Sequence, residues 1–185
     1  MASESPSLHI GVIATSLGSD SRSQELAAEA MRRLKGRGVS ATLVDLRQHA
    51  LPLAGPDESW SHPAVAKVRE LVGATTHLIF SVPIYNFDVN SAAKTFIELM
   101  GEDLLGGKTV GFLCAAGGQG SYMSILSFAN SLMLDFRCWI VPRFVYVTTD
   151  FVDEKGIVTP EIDRRLDGLI SDLVNGPVRR KVRAR

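Results

Sequence analysis

An α/β fold with a doubly wound, mostly parallel sheet of five strands is what this 185-residue sequence predicts, on two observations. Apolar runs of strand length alternate five times with segments whose apolar residues recur at helical spacing. Three of those runs open at their C-terminal ends into stretches of unusual composition: Thr15–Gln24 (TSLGSDSRSQ), Pro83–Phe87 (PIYNF) and Gly117–Gly120 (GGQG). In such a sheet, ligands bind outside the carboxyl ends of the strands, where the strand order switches. With the strand order 2-1-3-4-5, the three loops follow neighbouring central strands and meet in one place.

The elements follow in order. Residues 1–7 read as a polar arm, 8–175 as one domain and 176–185 as a basic tail. Leu8–Ala14 is apolar nearly throughout, as a strand buried on both faces should be. A first helix spans Ser23–Lys35, with Leu26, Ala27, Ala30, Met31 and Leu34 on one face and Gly36 and Gly38 beyond its end. Val39–Leu46 is a second strand, in which Val39, Ala41, Leu43 and Asp45 alternate against the rest. After a loop containing Pro52, Gly55 and Pro56, a helix over Pro63–Gly73 presents Val65, Val68, Leu71 and Val72.

Thr76–Val82 is the third strand, and Asn90 caps a third helix that buries Ala93, Phe96, Ile97 and Met100. Thr109–Ala115 is the fourth strand, followed by a helix from about Tyr122 to Leu134. Arg137–Val141 is the fifth strand. A last helix begins at Thr159-Pro160-Glu161, packs Ile162, Leu166, Leu169, Ile170 and Leu173, and stops at Asn175-Gly176-Pro177. No charged residue occurs from Thr109 to Leu134, so the fourth helix lacks a charged solvent face. In a domain this small, a second subunit covering that helix is the expected reason, giving a homodimer or homotetramer.

Composition bounds the function. A net charge of zero gives no general nucleic-acid or membrane role. Five positive charges in residues 179–185 leave −5 on the rest, and a tail of that kind reads as a solvated end. Cys114 and Cys138 both lie in apolar runs and read as buried free thiols of a reducing, cytoplasmic compartment. No stretch has the length and apolarity of a membrane span, and the first residues lack the pattern of a secretory signal.

The first loop carries hydroxyls, the backbone N–H groups of a helix start, and Arg22. That combination suits a phosphate, because the helix start is partially positive and a guanidinium binds two oxygens at once. The alternative is a polar turn closed by a capping box from Ser21 to Gln24. A flat heteroaromatic phosphate suits all three loops, with its phosphate in the first and its ring between the second and third. Competing motifs are absent: there is no GxxxxGK[ST], and GGQG is not GxGxxG. Thr15-Ser16 and Pro83 stand where a phosphorylation receiver needs carboxylates. His9, His49, His62 and His77 show no metal-ligand spacing, and no Ser/His/Asp set assembles.

These loops resemble those of the NAD(P)H-dependent FMN reductases with a flavodoxin-like fold, over about residues 8–175. The first is similar to that family's Gly-Ser-x-Arg-x-x-Ser pattern and closest to the variant ending Ser-Arg-Ser of the flavin reductases that serve alkanesulfonate monooxygenases. The resemblance implies that Ser16, Ser21, Arg22, Ser23 and Gln24 hold the FMN phosphate. Pro83, Ile84, Tyr85 and Asn86 would run along the isoalloxazine ring, and Gly117, Gly118, Gln119 and Gly120 would meet its polar edge. The pattern is departed from at Thr15, where the family has Gly, at Gly18, where it has Arg, and at Val89-Asn90-Ser91, where it has Pro-Gly.

The implied reaction is hydride transfer from NADPH or NADH to flavin N5 and then to an acceptor: a quinone, an azo compound, a metal ion, or a partner monooxygenase served with free reduced FMN. No side-chain acid or base is needed, because the cofactor carries the chemistry. The rival readings are a flavodoxin-like electron carrier, which is usually strongly acidic, and an FMN-free interaction protein.

Overall fold

The computed structural model describes residues 7–148 and 158–176; the polar arm up to residue 6 and the basic tail from residue 177 lie outside the described residues. The strands are β1 (His9–Ala14), β2 (Ser40–Asp45), β3 (His77–Tyr85), β4 (Asp88–Val89), β5 (Thr109–Ala115) and β6 (Trp139–Val147). The α-helices are α1 (Arg22–Gly36), α2 (Pro63–Gly73), α3 (Ser91–Leu105), α4 (Ile125–Leu134) and α5 (Pro160–Asn175). One sheet runs β2-β1-β3-β5-β6, all parallel, and β4 pairs antiparallel with the end of β3. The expectation of five strands in the order 2-1-3-4-5 is therefore corrected to six strands, with β4 off the main path.

The extra strand has a local cause. The third strand does not stop at Val82 but continues through Pro83 to Tyr85. By Pro83 the pairing with β1 has ended at Ser81, so a residue without an N–H is tolerated there. Asn86 and Phe87 then both take positive φ, 50° and 63°. Positive φ at both central residues is the requirement of a two-residue type I′ hairpin, and it returns Asp88 to Tyr85 and Val89 to Ile84. Phe87 is a costly residue for that conformation, by about 1–2 kcal/mol.

The two faces of the sheet hold separate cores. Ile10, Val12 and Ala14 of β1, Ile79 of β3, and Leu113 and Ala115 of β5 pack with α1 and α5. Ile13, Leu78, Phe80, Val82, Val110, Phe112 and Cys114 point the other way, against α2, α3 and α4. This is the period-two alternation of strands buried on both sides. Phe80 sits at the centre of the second core, edge-on to Phe96 and Phe128 at 5.6 and 5.3 Å. Gly111 of β5 leaves the space that α5 needs: a Cβ there would lie 2.9 Å from a Leu169 methyl carbon.

Other elements shift from the sequence reading. In β2 the core residue is Val44, while Leu43 is exposed at the sheet edge. α4 begins only at Ile125, because Gln119–Ser124 forms a tighter 3₁₀ turn. The last strand is Trp139–Val147 rather than Arg137–Val141. Arg137 takes φ 56° and still belongs to the turn after α4. Pro142 does not end the strand, because it lies on the free edge within the irregular register opposite Gly111. Within α3 the backbone breaks at Gly101 (φ 72°). Arg69 of α2 donates to the Leu99 and Met100 carbonyls beside the break, at 3.2 and 2.6 Å.

Candidate functional site

The three loops do converge. A cleft of about 530 Å³ at the C-terminal ends of β1, β3 and β5 is lined by Asp20–Ser23, Pro83–Asn86 and Ala115–Gly117. That lies within the roughly 300–1,000 Å³ of clefts that hold cofactor-sized molecules.

At the first loop, Ser21 occupies the N-cap position of α1 but makes no side-chain cap; its hydroxyl lies 2.9 Å from that of Ser23. Gln24 does not close the capping box. Its amide donates to the Ser16 carbonyl at 2.9 Å and to Asp45 Oδ1 at 3.0 Å. The capping-box alternative is therefore not what the structure builds. The Gln24 and Glu25 N–H groups fold back on the Ser21 carbonyl, while those of Arg22 and Ser23 have no protein partner among the described residues. Arg22 donates from Nη1 to the Thr148 carbonyl at 2.7 Å and lines the cleft.

The five residues assigned to a phosphate thus divide. Ser21, Arg22 and Ser23 line the cleft. Ser16 is buried and accepts the Gly18 N–H at 3.3 Å, and Gln24 is held by Ser16 and Asp45. The last two shape the loop from behind. Asp45, 4 % exposed, anchors this support. Burial by itself would raise its pKa, but bonds from the Arg47 side chain and backbone and from Gln24 outweigh that and hold it below the usual carboxylate value.

Two departures from the family pattern meet each other. The Thr15 hydroxyl donates to Asn90 Oδ1 at 2.8 Å, and Asn90 Nδ2 donates to the Thr15 carbonyl at 2.7 Å. Both residues are buried. Asn90 stands at the N-cap of α3 but makes no side-chain cap, because its amide is paired with Thr15. The pair ties the start of the first loop to the end of the second.

At the second loop, all four residues Pro83, Ile84, Tyr85 and Asn86 line the cleft. Tyr85 is 57 % exposed and Phe87 beside it 71 %. In the third loop only Gly117 reaches the cleft lining, together with Ala115 and Ala116. A side chain on Gly117, Gly118 or Gly120 would meet nothing within 4 Å, so close packing does not explain these glycines. What bare backbone provides is approach, and the Gly117 and Gly118 N–H groups have no protein partner among the described residues. Gly118, Gln119 and Gly120 are exposed and do not line the cleft. Asp20, Ala115 and Ala116 escaped the sequence reading; Ala115 and Ala116, as the plain apolar end of β5, carry no signal of a site.

N–H donors without a partner among the described residues, two hydroxyls and a guanidinium at one end, and an apolar and aromatic slot ending in bare backbone at the other, fit a planar phosphate such as FMN. Among the described residues no group of three His, Cys, Asp or Glu side chains is placed to hold a metal ion. No helix among them is long and apolar enough to cross a membrane.

Comparison with known proteins agrees with this chemistry. Residues 8–152 match the family described as NADPH-dependent FMN reductase. An NAD(P)H-dependent FAD/FMN reductase of Geobacillus thermodenitrificans (strain NG80-2) is 27% identical over 139 residues, covering 74% of this chain and 75% of that protein. Among solved structures, an NADH:FMN oxidoreductase in its apo form superposes with a TM-score of 0.75 at 15% identity, over 94% of this chain and 92% of that one. FerB, a flavoenzyme NAD(P)H:(acceptor) oxidoreductase from Paracoccus denitrificans, gives 0.74 at 19% identity, over 91% and 96%. At these identities the structural likeness concerns the fold.

Proposed function

The chain belongs to the NADPH-dependent FMN reductase family, and from that premise we propose that residues 8–175 form one unit whose cleft binds FMN with its phosphate on Ser21–Ser23. The carrying observation is the placement of Arg22 and two helix-start N–H groups, without a partner among the described residues, beside a slot made of Tyr85, Asn86 and bare glycine backbone. FMN bound there supplies the chemistry of a two-electron carrier between NAD(P)H and an acceptor. The chain's own residues hold and orient. Arg22 and the Ser21 and Ser23 hydroxyls neutralise and grip the phosphate. Pro83, Ile84, Ala115 and Ala116 keep water from one side of the ring slot. The N–H groups of Gly117 and Gly118 offer fixed dipoles at its polar edge.

Tyr85 and Phe87 leave the rim of the slot aromatic and open, which suits a second planar molecule. Nicotinamide and a small acceptor such as a quinone or azo compound would use that face in turn. Arg22 is the only guanidinium lining the described cleft, Gly18 standing where the resembling pattern has a second. A single cation favours a loosely held phosphate, and so the finer reading of a reductase that releases reduced FMN to a partner monooxygenase, as in the alkanesulfonate systems. Both thiols are free and buried; burial pushes the Cys114 thiol far up and Cys138 up to about 11, as suits a reducing cytoplasm.

The purified protein is expected to oxidise NADPH or NADH only when FMN is present, with FMN affinity in the micromolar range. Spectrophotometry at 340 nm with and without FMN checks this, and absence of both binding and oxidation removes the proposal. Loss of the yellow colour on a desalting column supports release; retention supports a resident cofactor.

We also propose a homo-oligomer formed through α4. Leu126, Met133 and Leu134 of α4 are exposed, as is Met123 in the 3₁₀ turn before it, and Ser127 bonds Asp88 at 2.9 Å, so the face continues into the β4 hairpin. Leu126→Glu is expected to convert a dimer or tetramer to monomer in light scattering. A wild-type protein already monomeric at micromolar concentration would dispose of the idea.

A further inference from the structure

The glycine loop is not held by its own sterics, since added side chains at Gly117, Gly118 and Gly120 would meet nothing. It is held from β6. The Tyr146 hydroxyl donates to the Gly118 carbonyl at 2.6 Å and lies 2.6 Å from the Ser121 hydroxyl, which also reaches that carbonyl at 3.3 Å. The Ala116 N–H donates to the Val147 carbonyl at 2.8 Å, and the Gln119 amide to the Thr148 hydroxyl at 3.3 Å. Thr148 is also the residue whose carbonyl receives Arg22 from the first loop. Three consecutive residues at the end of β6 therefore bracket both the phosphate end and the glycine end of the cleft.

Tyr146 is the buried member, 6 % exposed, with its ring fixed edge-on against Tyr122 at 5.2 Å. A peptide unit is planar and trans, so a hydroxyl that fixes the Gly118 carbonyl also fixes the Gln119 N–H on the opposite side. The shorter of the two bonds that set the orientation of that peptide comes from the Tyr146 phenol, the longer from Ser121.

We propose that Tyr146 is a positioning residue: its hydroxyl fixes the peptide plane of the glycine loop and thereby the preference of the site for reduced over oxidised FMN. The inference rests on the FMN reading given above. Dipoles fixed before the ligand changes charge favour the form that carries more negative charge, whereas a mobile loop has first to be reoriented.

The test is the pair of FMN dissociation constants, oxidised in air and reduced under anaerobic conditions, for the wild type, Tyr146→Phe and Ser121→Ala. Tyr146→Phe keeps the ring and its packing. It is expected to weaken reduced FMN about tenfold and oxidised FMN about threefold or less, the loss of a single fixed hydrogen bond being of that order. The reduced-to-oxidised ratio of dissociation constants then rises about threefold. Ser121→Ala, which removes the hydroxyl's second partner, is expected to move the ratio about twofold in the same direction, and it decides the matter alone if Tyr146→Phe does not fold. An unchanged ratio overturns the inference, because a purely structural tyrosine would weaken both forms equally. A wild type that binds no FMN overturns the FMN reading and this inference together; a wild type that binds, with unaltered ratios in the variants, overturns only the inference.

Discussion

Arg22→Ala is expected to weaken FMN binding about 10- to 100-fold while the protein still folds. A hydrogen bond between ionised partners contributes about 1.5–3 kcal/mol, and each 1.4 kcal/mol is about tenfold in affinity. Arg22 is the only cationic side chain lining the described cleft, so no neighbour takes its place. Its position argues for an anion on physical grounds: a guanidinium in the first turn of a helix faces the positive end of the dipole and is unfavourable there without one. In the free protein it is partly satisfied by the Thr148 carbonyl, so the loss of fold stability should be only that of one part-buried hydrogen bond. Titration of FMN fluorescence checks the prediction. Arg22→Lys should fall between, because it keeps the charge but not the two-pronged geometry. An unchanged dissociation constant in Arg22→Ala would take the phosphate away from this loop.

Asn90→Leu is expected to destabilise the fold by about 2–4 kcal/mol, as a buried pair loses one partner and leaves the other unsatisfied. The Thr15 carbonyl takes its side-chain bond from Asn90, and the Thr15 hydroxyl keeps only the 3.2 Å contact to the Ser81 carbonyl. Equilibrium urea unfolding measures the change. Thr15→Val should cost less, since the Asn90 amide still reaches the Thr15 backbone carbonyl. The double variant should fall short of the sum of the two, because the side chains share a bond. Additive losses would mean that the pair acts through packing. The same variant bears on the site: Thr15 begins the first loop and Asn90 follows the second, so Asn90→Leu should also weaken FMN binding at temperatures where the protein is still folded.

Much of the site was legible because it is written locally. A helix start with Ser21, Arg22 and Ser23, and the unusual run Pro83–Asn86, are contiguous, and the topology of a parallel sheet brings strand ends together without further information. Other features lie where one residue type serves two masters. The capping box offered as the alternative for Ser21 and Gln24 is not formed, because the Gln24 amide is taken by Ser16 and Asp45. Asn90 reads as a cap, but is paired with Thr15. The third and fifth strands read as stopping at Val82 and Val141, yet both run on through a proline, Pro83 and Pro142, that stands where a ladder hydrogen bond is not required.

The apolar runs and their helical alternation, with glycine and proline between them, determined the α/β class, the parallel core and the candidate loops, because burial periodicity is a property of neighbouring residues. Tertiary structure alone decided the rest. It made Asn86 and Phe87 a hairpin turn that adds β4, bound Thr15 to Asn90 across 75 residues of chain, and set Tyr146 and Thr148 behind the third and first loops. Those bonds join residues far apart in the chain, and their partners are chosen by where the packed sheet places them, which no local pattern records.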